Sequence, residues 1–149
     1  CVSELEARRS AGTKKSKVGR ALIGPQIVEH MSSEVRSVSQ DDSLRKAGQL
    51  MQQWKLGSLL VTNSQSYVGV ITDSALTRDV VAKGLDSNTT IVKTCMRTPV
   101  VAIEGDRPII DAVRMMKEQA TRHLAVTQDG QIIGVISVSN ILRYYSGVA

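Results

Sequence analysis

The sequence predicts a mixed α/β (α+β) fold built from two tandem β-α-β-β-α repeats. Short apolar segments of strand length alternate with longer segments whose apolar residues recur at helical spacing. This order occurs twice, and the two copies of one feature, Gly69–Ala75 and Gly134–Asn140, begin 65 positions apart. Because one such repeat is too small to close a core alone, we expect the two repeats to pack about a pseudo-two-fold axis.

The first repeat shows clear start and stop signals. Ser43 precedes an apolar stripe at helical spacing and is a candidate N-cap, and Gly57 is expected to end that helix. The predicted elements are a turn at Ile27–Met31, a strand at Val35–Val38, a helix from Leu44 to Gly57, strands at Ser58–Thr62 and Tyr67–Ile71, and a helix at Asp73–Ala82.

The second repeat shows the same order. Pro108 suits the first turn of a helix, and Asp129-Gly130 predicts a tight hairpin turn. The predicted elements are a turn at Ile91–Met96, a strand at Val100–Ile103, a helix with the stripe Ile109, Ala112, Val113, Met116 and Ala120, strands at His123–Thr127 and Ile132–Ile136, and a helix at Val138–Tyr145.

The positive charge of the chain is concentrated near its beginning. Residues 1–24 hold six basic and two acidic residues, whereas the other 125 residues hold 13 and 12. We interpret residues 1–24 as a basic, flexible tail, 25–84 as repeat 1 and 85–149 as repeat 2. A solvated arm is the favoured interpretation of the tail, and contact with nucleic acid or an anionic surface is the alternative.

The composition favours a non-catalytic intracellular domain. Neither a membrane span nor a secretory signal is visible, so we expect a cytoplasmic protein without membrane contact. Cys1 and Cys95 do not form a disulfide framework, and Cys95 is expected to be a buried, inert thiol. No nucleophile–base motif, P-loop or metal-ligand spacing around His30 and His123 occurs, so we expect neither an enzyme nor a resident cofactor or metal.

Each repeat closes with a corner at which a strand passes into a helix through a hydroxyl residue. Thr72 holds that position in the first repeat and Ser137 in the second. Two roles remain open at this point. The hydroxyl can cap the helix, or it can contact an anionic ligand at the helix start.

Taken together, the repeated motifs resemble a tandem pair of cystathionine-β-synthase (CBS) domains, a Bateman module. The resemblance covers Ile27 to Tyr145, and its strength lies in the shared order and register of weak single motifs. These motifs are the strand starts at Met31–Val38 and Met96–Ile103, the strands at Gly57–Val61 and Arg122–Val126, and the corners at Gly69–Ala75 and Gly134–Asn140.

The resemblance implies an adenosine ligand, such as AMP, ADP, ATP or S-adenosylmethionine, in a cleft between the repeats. It places the adenine against the backbone of Thr98-Pro99-Val100 and a phosphate or ribose oxygen at Ser137. Asn140 stands where the family commonly has an Asp that holds the ribose hydroxyls. Arg122 and His123 stand where similar domains place cations for phosphate, although a surface charge and a structural His are the alternatives.

The first corner departs further from the family pattern. Thr72 keeps the hydroxyl and Val35 marks the strand start, but Ala75 replaces the Asp. Glu34 adds a negative charge there, and Lys55 is the nearby cation. The resemblance therefore implies one preferred site, at Ser137 and Asn140, and a weaker or empty one at Thr72.

Two functions are compatible with these features. The first is a nucleotide-sensing regulatory module that signals through conformation or dimer packing. The alternative is a dimerisation or protein-interaction module whose ligand sites have degenerated, which Ala75 and Asn140 favour. The resemblance implies a homodimer in either case.

Overall fold

Within residues 24–147, six short strands form two three-stranded sheets, and helices accompany each sheet. The computed structural model describes residues 24–147. The predicted basic tail, apart from Gly24, lies outside the described residues. The chain divides into two compact units. Ser33–Ala102 forms the first-repeat unit, and residues 24–32 together with 103–147 belong to the second-repeat unit.

The sheet of the first-repeat unit has the order β1-β2-β3. Strand β1 runs parallel to β2, with Ser37 opposite Leu60, and β2 runs antiparallel to β3, with Ser58 opposite Thr72. The elements are β1 (Ser37–Ser39), α1 (Leu44–Trp54), β2 (Ser58–Asn63), β3 (Ser66–Thr72), α2 (Asp73–Ala75), a π-helical segment (Leu76–Val81) and α3 (Val92–Cys95).

The second-repeat unit repeats this plan with the order β4-β5-β6. Strands β5 and β6 form an antiparallel hairpin in which His123 lies opposite Ser137. The turn residues Asp129 and Gly130 both have positive φ, which confirms the predicted tight turn. The elements are a 3-10 turn (Ile27–Glu29), β4 (Ala102–Glu104), α4 (Ile109–Glu118), β5 (His123–Gln128), β6 (Gln131–Ser137) and α5 (Val138–Tyr145).

The core of each unit uses the apolar positions that the periodicity predicts. In the first-repeat unit, one face of α1 packs against the inner face of β2 and β3, and Met51 is buried there. The residues of this cluster are Val38, Leu44, Ala47, Met51, Leu59, Val61, Ile71, Ala75 and Val92. Met116 and the stripe residues Ile109 and Ala112 are likewise buried in the second-repeat unit. Val113 of the predicted stripe is instead exposed.

Each compact unit includes the short segment that begins the other repeat in sequence. Ile27 donates its N–H to Arg107 at 2.9 Å and is fully buried in the second-repeat unit. Its equivalent 65 positions later, Val92, donates to Asp42 at 2.8 Å and is fully buried in the first-repeat unit. The sequence repeats and the compact units are therefore offset from one another.

The predicted helix boundaries need correction at three places. Helix α1 ends at Trp54, and the left-handed residue after it is Lys55, with φ of 54°, so the helix has already ended before Gly57. Pro108 occupies the N-cap position with extended backbone, and α4 begins one residue later, at Ile109. Ala120 lies beyond the end of α4 and has a φ of 50°, so it is not part of the helical stripe.

The helix predicted at Asp73–Ala82 changes its hydrogen-bonding pattern after one turn. The α-helical part ends at Ala75, and a π-helical segment continues to Val81. The hydroxyl of Thr77 donates to the carbonyl of Asp73 at 3.1 Å, so it competes with a backbone N–H for that acceptor. This competition is a local reason for the wider helical turn.

Candidate functional site

The corner at the end of β6 brings together three residues that the sequence singled out. Ser137 is the last residue of β6 and lies opposite His123 in the hairpin. The carbonyl of Arg122 accepts a hydrogen bond from the N–H of Val138 at 3.0 Å. The strand pairing therefore fixes Arg122, His123 and Ser137 at the same end of the sheet, at the start of α5.

Ser137 and Asn140 form a closed capping box at the start of α5. The Ser137 hydroxyl accepts from the N–H of Asn140 at 3.3 Å and donates to Asn140 Oδ1 at 2.9 Å. The same Oδ1 also accepts from the Ser137 N–H at 2.8 Å. The predicted capping role of Ser137 is thus present, and the carbonyl oxygen of Asn140 has two donors within the corner.

A cavity of about 490 Å³ opens next to this corner within the second-repeat unit. Residues 29–32 line part of this cavity, and α5 contributes Asn140, Arg143 and Tyr144 to the lining. The volume lies in the range of small-molecule sites in proteins. Of the predicted site residues, Asn140 lines this cavity.

The lining of the cavity contains both aromatic rings and charged side chains. The rings of His30 and Tyr144 contact each other with centroids 4.6 Å apart. Arg143 contributes a permanent positive charge, and Glu29 contributes a carboxylate whose Oε2 accepts from the N–H of Gln26 at 3.2 Å. The sequence interpretation missed His30, Arg143 and Tyr144 as site residues. The helical spacing of Asn140, Arg143 and Tyr144 was the signal that could have found two of them.

The segment before β1 forms part of the cavity lining by pairing with β6. Ser32 and Val135 exchange two backbone hydrogen bonds of 2.9 Å. Gly134 allows this approach, because a Cβ there would lie 2.5 Å from the Ser32 carbonyl oxygen and 2.6 Å from Met31 Sδ. The glycine of the corner motif is therefore required by a backbone contact.

The equivalent corner of the first-repeat unit has the apolar residue Ala75 at the position that Asn140 holds in the second-repeat unit. Thr72 Oγ1 accepts from the N–H of Ala75 at 3.1 Å, so Thr72 also acts as an N-cap. Ala75 is 7% exposed and belongs to the apolar core. Its counterpart Asn140 is half-buried and hydrogen-bonded to Ser137. The two corners therefore share backbone geometry but differ in chemistry.

The charges at the start of β1 are paired with one another. Val35 is half-buried and precedes β1, at the same end of the sheet as Thr72. Arg36 contacts Glu34 with an N–O distance of 3.3 Å, and its guanidinium lies 4.5 Å from the ring centre of Trp54. Arg36 therefore offsets the charge of Glu34, a contribution that the sequence interpretation did not anticipate. Lys55 is exposed at the end of α1.

The predicted adenine-contact segment belongs to the first-repeat unit. Thr98 and Pro99 are exposed, and Val100 is half-buried. Arg97 exchanges backbone hydrogen bonds with Val70, so Thr98 lies beside the Gly69 corner. The structure thus places Thr98-Pro99-Val100 with Thr72 and Val35 in one unit, and Arg122, His123, Ser137 and Asn140 in the other.

Other chemistry is limited in the part of the chain that the structure describes. Burial raises the pKa of the Cys95 thiol, the Asp79 carboxylate raises it further, and Lys83 partly offsets this effect. A raised pKa keeps the thiol protonated and weakly nucleophilic at neutral pH. Within residues 24–147 there is no group of three or more metal-ligating side chains, and every helix is too short or too polar to cross a bilayer.

Comparison with known proteins identifies the family. The protein-family model described as "CBS domain" matches residues 26–82 and 92–147. The chain therefore belongs to the CBS-domain family as a tandem pair. An uncharacterized protein of Methanopyrus kandleri is 30% identical over 95 residues, which cover 62% of this chain. The chain spans about half the length of that relative, 48%.

Solved structures of this family share the fold. A putative signal-transduction protein with CBS domains from Burkholderia ambifaria MC40-6 matches with a TM-score of 0.75 and 27% identity, over 78% of this chain and 85% of that one. A hexameric CBS-CP12 protein from bloom-forming cyanobacteria matches with a TM-score of 0.74 and 28% identity, over 80% and 70% of the two chains. The predicted family and the predicted mixed α/β fold are confirmed.

Proposed function

We propose that this chain is a non-catalytic regulatory module that binds an adenosine compound in the cavity beside Ser137 and Asn140. AMP, ADP, ATP and S-adenosylmethionine are the candidate ligands. One observation carries the proposal. Asn140 lines a cavity of about 490 Å³, whereas its repeat equivalent Ala75 is buried in an apolar core. The proposal therefore concerns one site in the second-repeat unit.

A ligand that binds only the folded state raises the free energy of unfolding. At a ligand concentration of one hundred times Kd, this stabilisation is about 2.7 kcal/mol. We expect at least one of the four adenosine compounds to raise the melting temperature. The double change Ser137→Ala with Asn140→Ala should abolish the increase, since it removes both polar side chains of the corner.

Thr72→Ala is the matched control for that experiment. It removes the equivalent cap in the first-repeat unit, at a cost of roughly 1 kcal/mol, and should leave the ligand-induced increase intact. The increase is measured from the unliganded melting temperature of each variant, so the loss of a cap does not confound it. The absence of any increase at millimolar concentrations of all four compounds would contradict the proposal.

Exposed apolar side chains on two helices support the second candidate, a dimerisation module. Leu142 and Tyr145 on α5 are 63% and 62% exposed, and Ile110 and Val113 on α4 are also exposed. Large exposed apolar side chains on helix surfaces are candidates for burial in a protein contact. The related cyanobacterial protein is described as hexameric, which supports self-association in this family. We propose a homodimer that buries these residues.

Sedimentation velocity at micromolar concentration tests the homodimer. Leu142→Glu should shift the chain toward monomer, because it places a charge at an apolar contact. Tyr67→Glu, on an exposed residue of the β2–β3 hairpin, is the control and should leave the sedimentation coefficient unchanged. A wild-type chain that sediments as a monomer would exclude the homodimer.

A further inference from the structure

The polar face of α5 presents hydrogen-bond donors to the cavity, not the acceptor that the family's Asp would supply. Asn140 Oδ1 already accepts from the N–H and from the hydroxyl of Ser137. Its remaining polar atom is Nδ2, which donates only. The hydroxyl proton of Ser137 is likewise used within the corner. Asn140 Oδ1 is therefore poorly available to accept a hydrogen bond from a ribose hydroxyl, because it already accepts from two donors.

Arg143 adds a second donor group on the same side of α5. It follows Asn140 by three positions, so the two side chains are neighbours on one helical face, and both line the cavity. Among residues 24–147, no ion pair joins the Arg143 guanidinium to a carboxylate within the distance range of the other salt bridges. Amide and guanidinium donors side by side match the oxygens of a phosphate group.

We infer that Asn140 Nδ2 and the Arg143 guanidinium bind the phosphate of the ligand, and that the site prefers a nucleoside monophosphate to a triphosphate. Arg143 is the permanent cation of the cavity lining, and the Glu29 carboxylate lies in the same lining. Arg143 offsets at least half of the charge of a phosphate monoester. Each further phosphate adds negative charge to a lining that, among the described residues, has no second Arg or Lys and already contains the Glu29 carboxylate. The adjoining rings of His30 and Tyr144 offer an apolar surface to the base.

This inference rests on the proposed function for the identity of the ligand, but its phosphate contact can be tested separately. We would measure binding of adenosine, AMP, ATP and ribose 5-phosphate to the full chain by isothermal titration calorimetry. We expect AMP to bind roughly 10-fold or more tightly than adenosine, since a charged hydrogen bond contributes that much. ATP should bind more weakly than AMP.

Two substitutions discriminate between a phosphate and a ribose role for this face. Arg143→Gln should reduce AMP binding to the level of adenosine. Asn140→Asp keeps an oxygen that can accept from Ser137, so the cap survives, but its charge should weaken AMP binding and spare adenosine. If Asn140 instead holds the ribose, Asn140→Asp should tighten both. Arg78→Gln, at the equivalent position of the first repeat, is the control and should change neither.

Failure of this inference is distinguishable from failure of the proposed function. Tighter AMP binding by Asn140→Asp, or an unchanged ratio of AMP to adenosine affinity in Arg143→Gln, would overturn the phosphate role while the nucleotide site stands. Ribose 5-phosphate binding that depends on Arg143, without binding of any adenosine compound, would support the phosphate role and reject the proposed function. A wild-type chain that binds none of the phosphate compounds would overturn the inference.

Discussion

Gly134 illustrates how a single missing side chain shapes the candidate site. The backbone of Ser32 approaches so closely that any Cβ at this position would meet its carbonyl oxygen at 2.5 Å. The two hydrogen bonds between Ser32 and Val135 depend on that approach. Since these bonds hold the segment of residues 29–32 that lines the cavity, the glycine acts on the candidate site through the backbone.

Gly134→Ala should destabilise the protein by roughly 1–3 kcal/mol, as overpacking of a tight contact does. The clash involves backbone and the Met31 sulfur, so the pairing of residues 31–32 with β6 must shift. Urea denaturation measures the change in the free energy of unfolding.

Gly48→Ala is the control for that substitution. A Cβ at Gly48 would lie 3.8 Å from the Leu76 side chain, an ordinary contact, and Gly48 lies inside α1. Alanine should therefore stabilise the helix by roughly 0.5–1 kcal/mol. A Gly134→Ala variant as stable as wild type would show that this lining segment can move without cost.

For the candidate site, the sequence identified the corner that the structure forms but not the hydrogen bonds within it. The repeat register located Ser137 and Asn140, and the structure places them at one corner. It could not predict that Asn140 Oδ1 would be occupied by Ser137, because a capping box depends on the rotamers of two side chains. His30 and Tyr144 were missed because their contact joins residues far apart in the chain.

At the scale of elements, a residue other than glycine adopts left-handed backbone just beyond each of the helices α1 and α4. Lys55 has a φ of 54°, and its repeat equivalent Ala120 has a φ of 50°. This conformation is costly for a residue with a Cβ, whereas glycine adopts it readily. Each of these helices is therefore followed by a residue that carries a local cost in backbone strain.

Ala120→Gly should raise the free energy of unfolding by up to about 1 kcal/mol, since relief of strain is partly offset by the greater freedom of the unfolded chain. Glu118→Gly, inside the last turn of α4, should lower it by a similar amount and serves as the control. Thermal and urea unfolding of both variants provides the measurement. Destabilisation by Ala120→Gly would mean that the Ala side chain contributes packing that outweighs the strain.

Helix ends and irregular helices were the elements that the sequence predicted least well. Periodicity identified α1, α4 and α5 because each has an apolar face that packs on a sheet. The same signal does not distinguish α-helical from π-helical hydrogen bonding, so the segment Leu76–Val81 was predicted as ordinary helix. We predicted the helix end at Gly57 because glycine favours left-handed backbone. In the structure, Lys55 adopts that conformation two residues earlier.

At the scale of the whole molecule, the compact units differ from the sequence repeats. The segment with Ile27 begins the first repeat but packs in the second-repeat unit, and the segment with Val92 begins the second repeat but packs in the first-repeat unit. Internal similarity reveals equivalent residues, and it does not reveal which copy each segment packs against. The sequence alone therefore predicted two repeats correctly but could not predict the exchange of their leading segments.

This exchange predicts that a substitution in one leading segment destabilises the unit into which it packs. Ile27→Ala removes a fully buried side chain from the second-repeat unit and should cost roughly 2–5 kcal/mol there. Amide hydrogen exchange followed by NMR should show a greater loss of protection in β5 and β6 than in β2 and β3. Val92→Ala, at the equivalent position, should show the opposite pattern, with the greater loss in β2 and β3.

The paired design makes the outcome decisive, because the two variants truncate fully buried side chains at equivalent positions that pack in different units. Equal loss of protection in both sheets for both variants would mean that the two units open together, and the offset of units from repeats would then have no energetic consequence. Greater loss in β2 and β3 for Ile27→Ala would contradict the packing of that segment. Opposite patterns would instead show that each leading segment stabilises the unit formed around the other repeat.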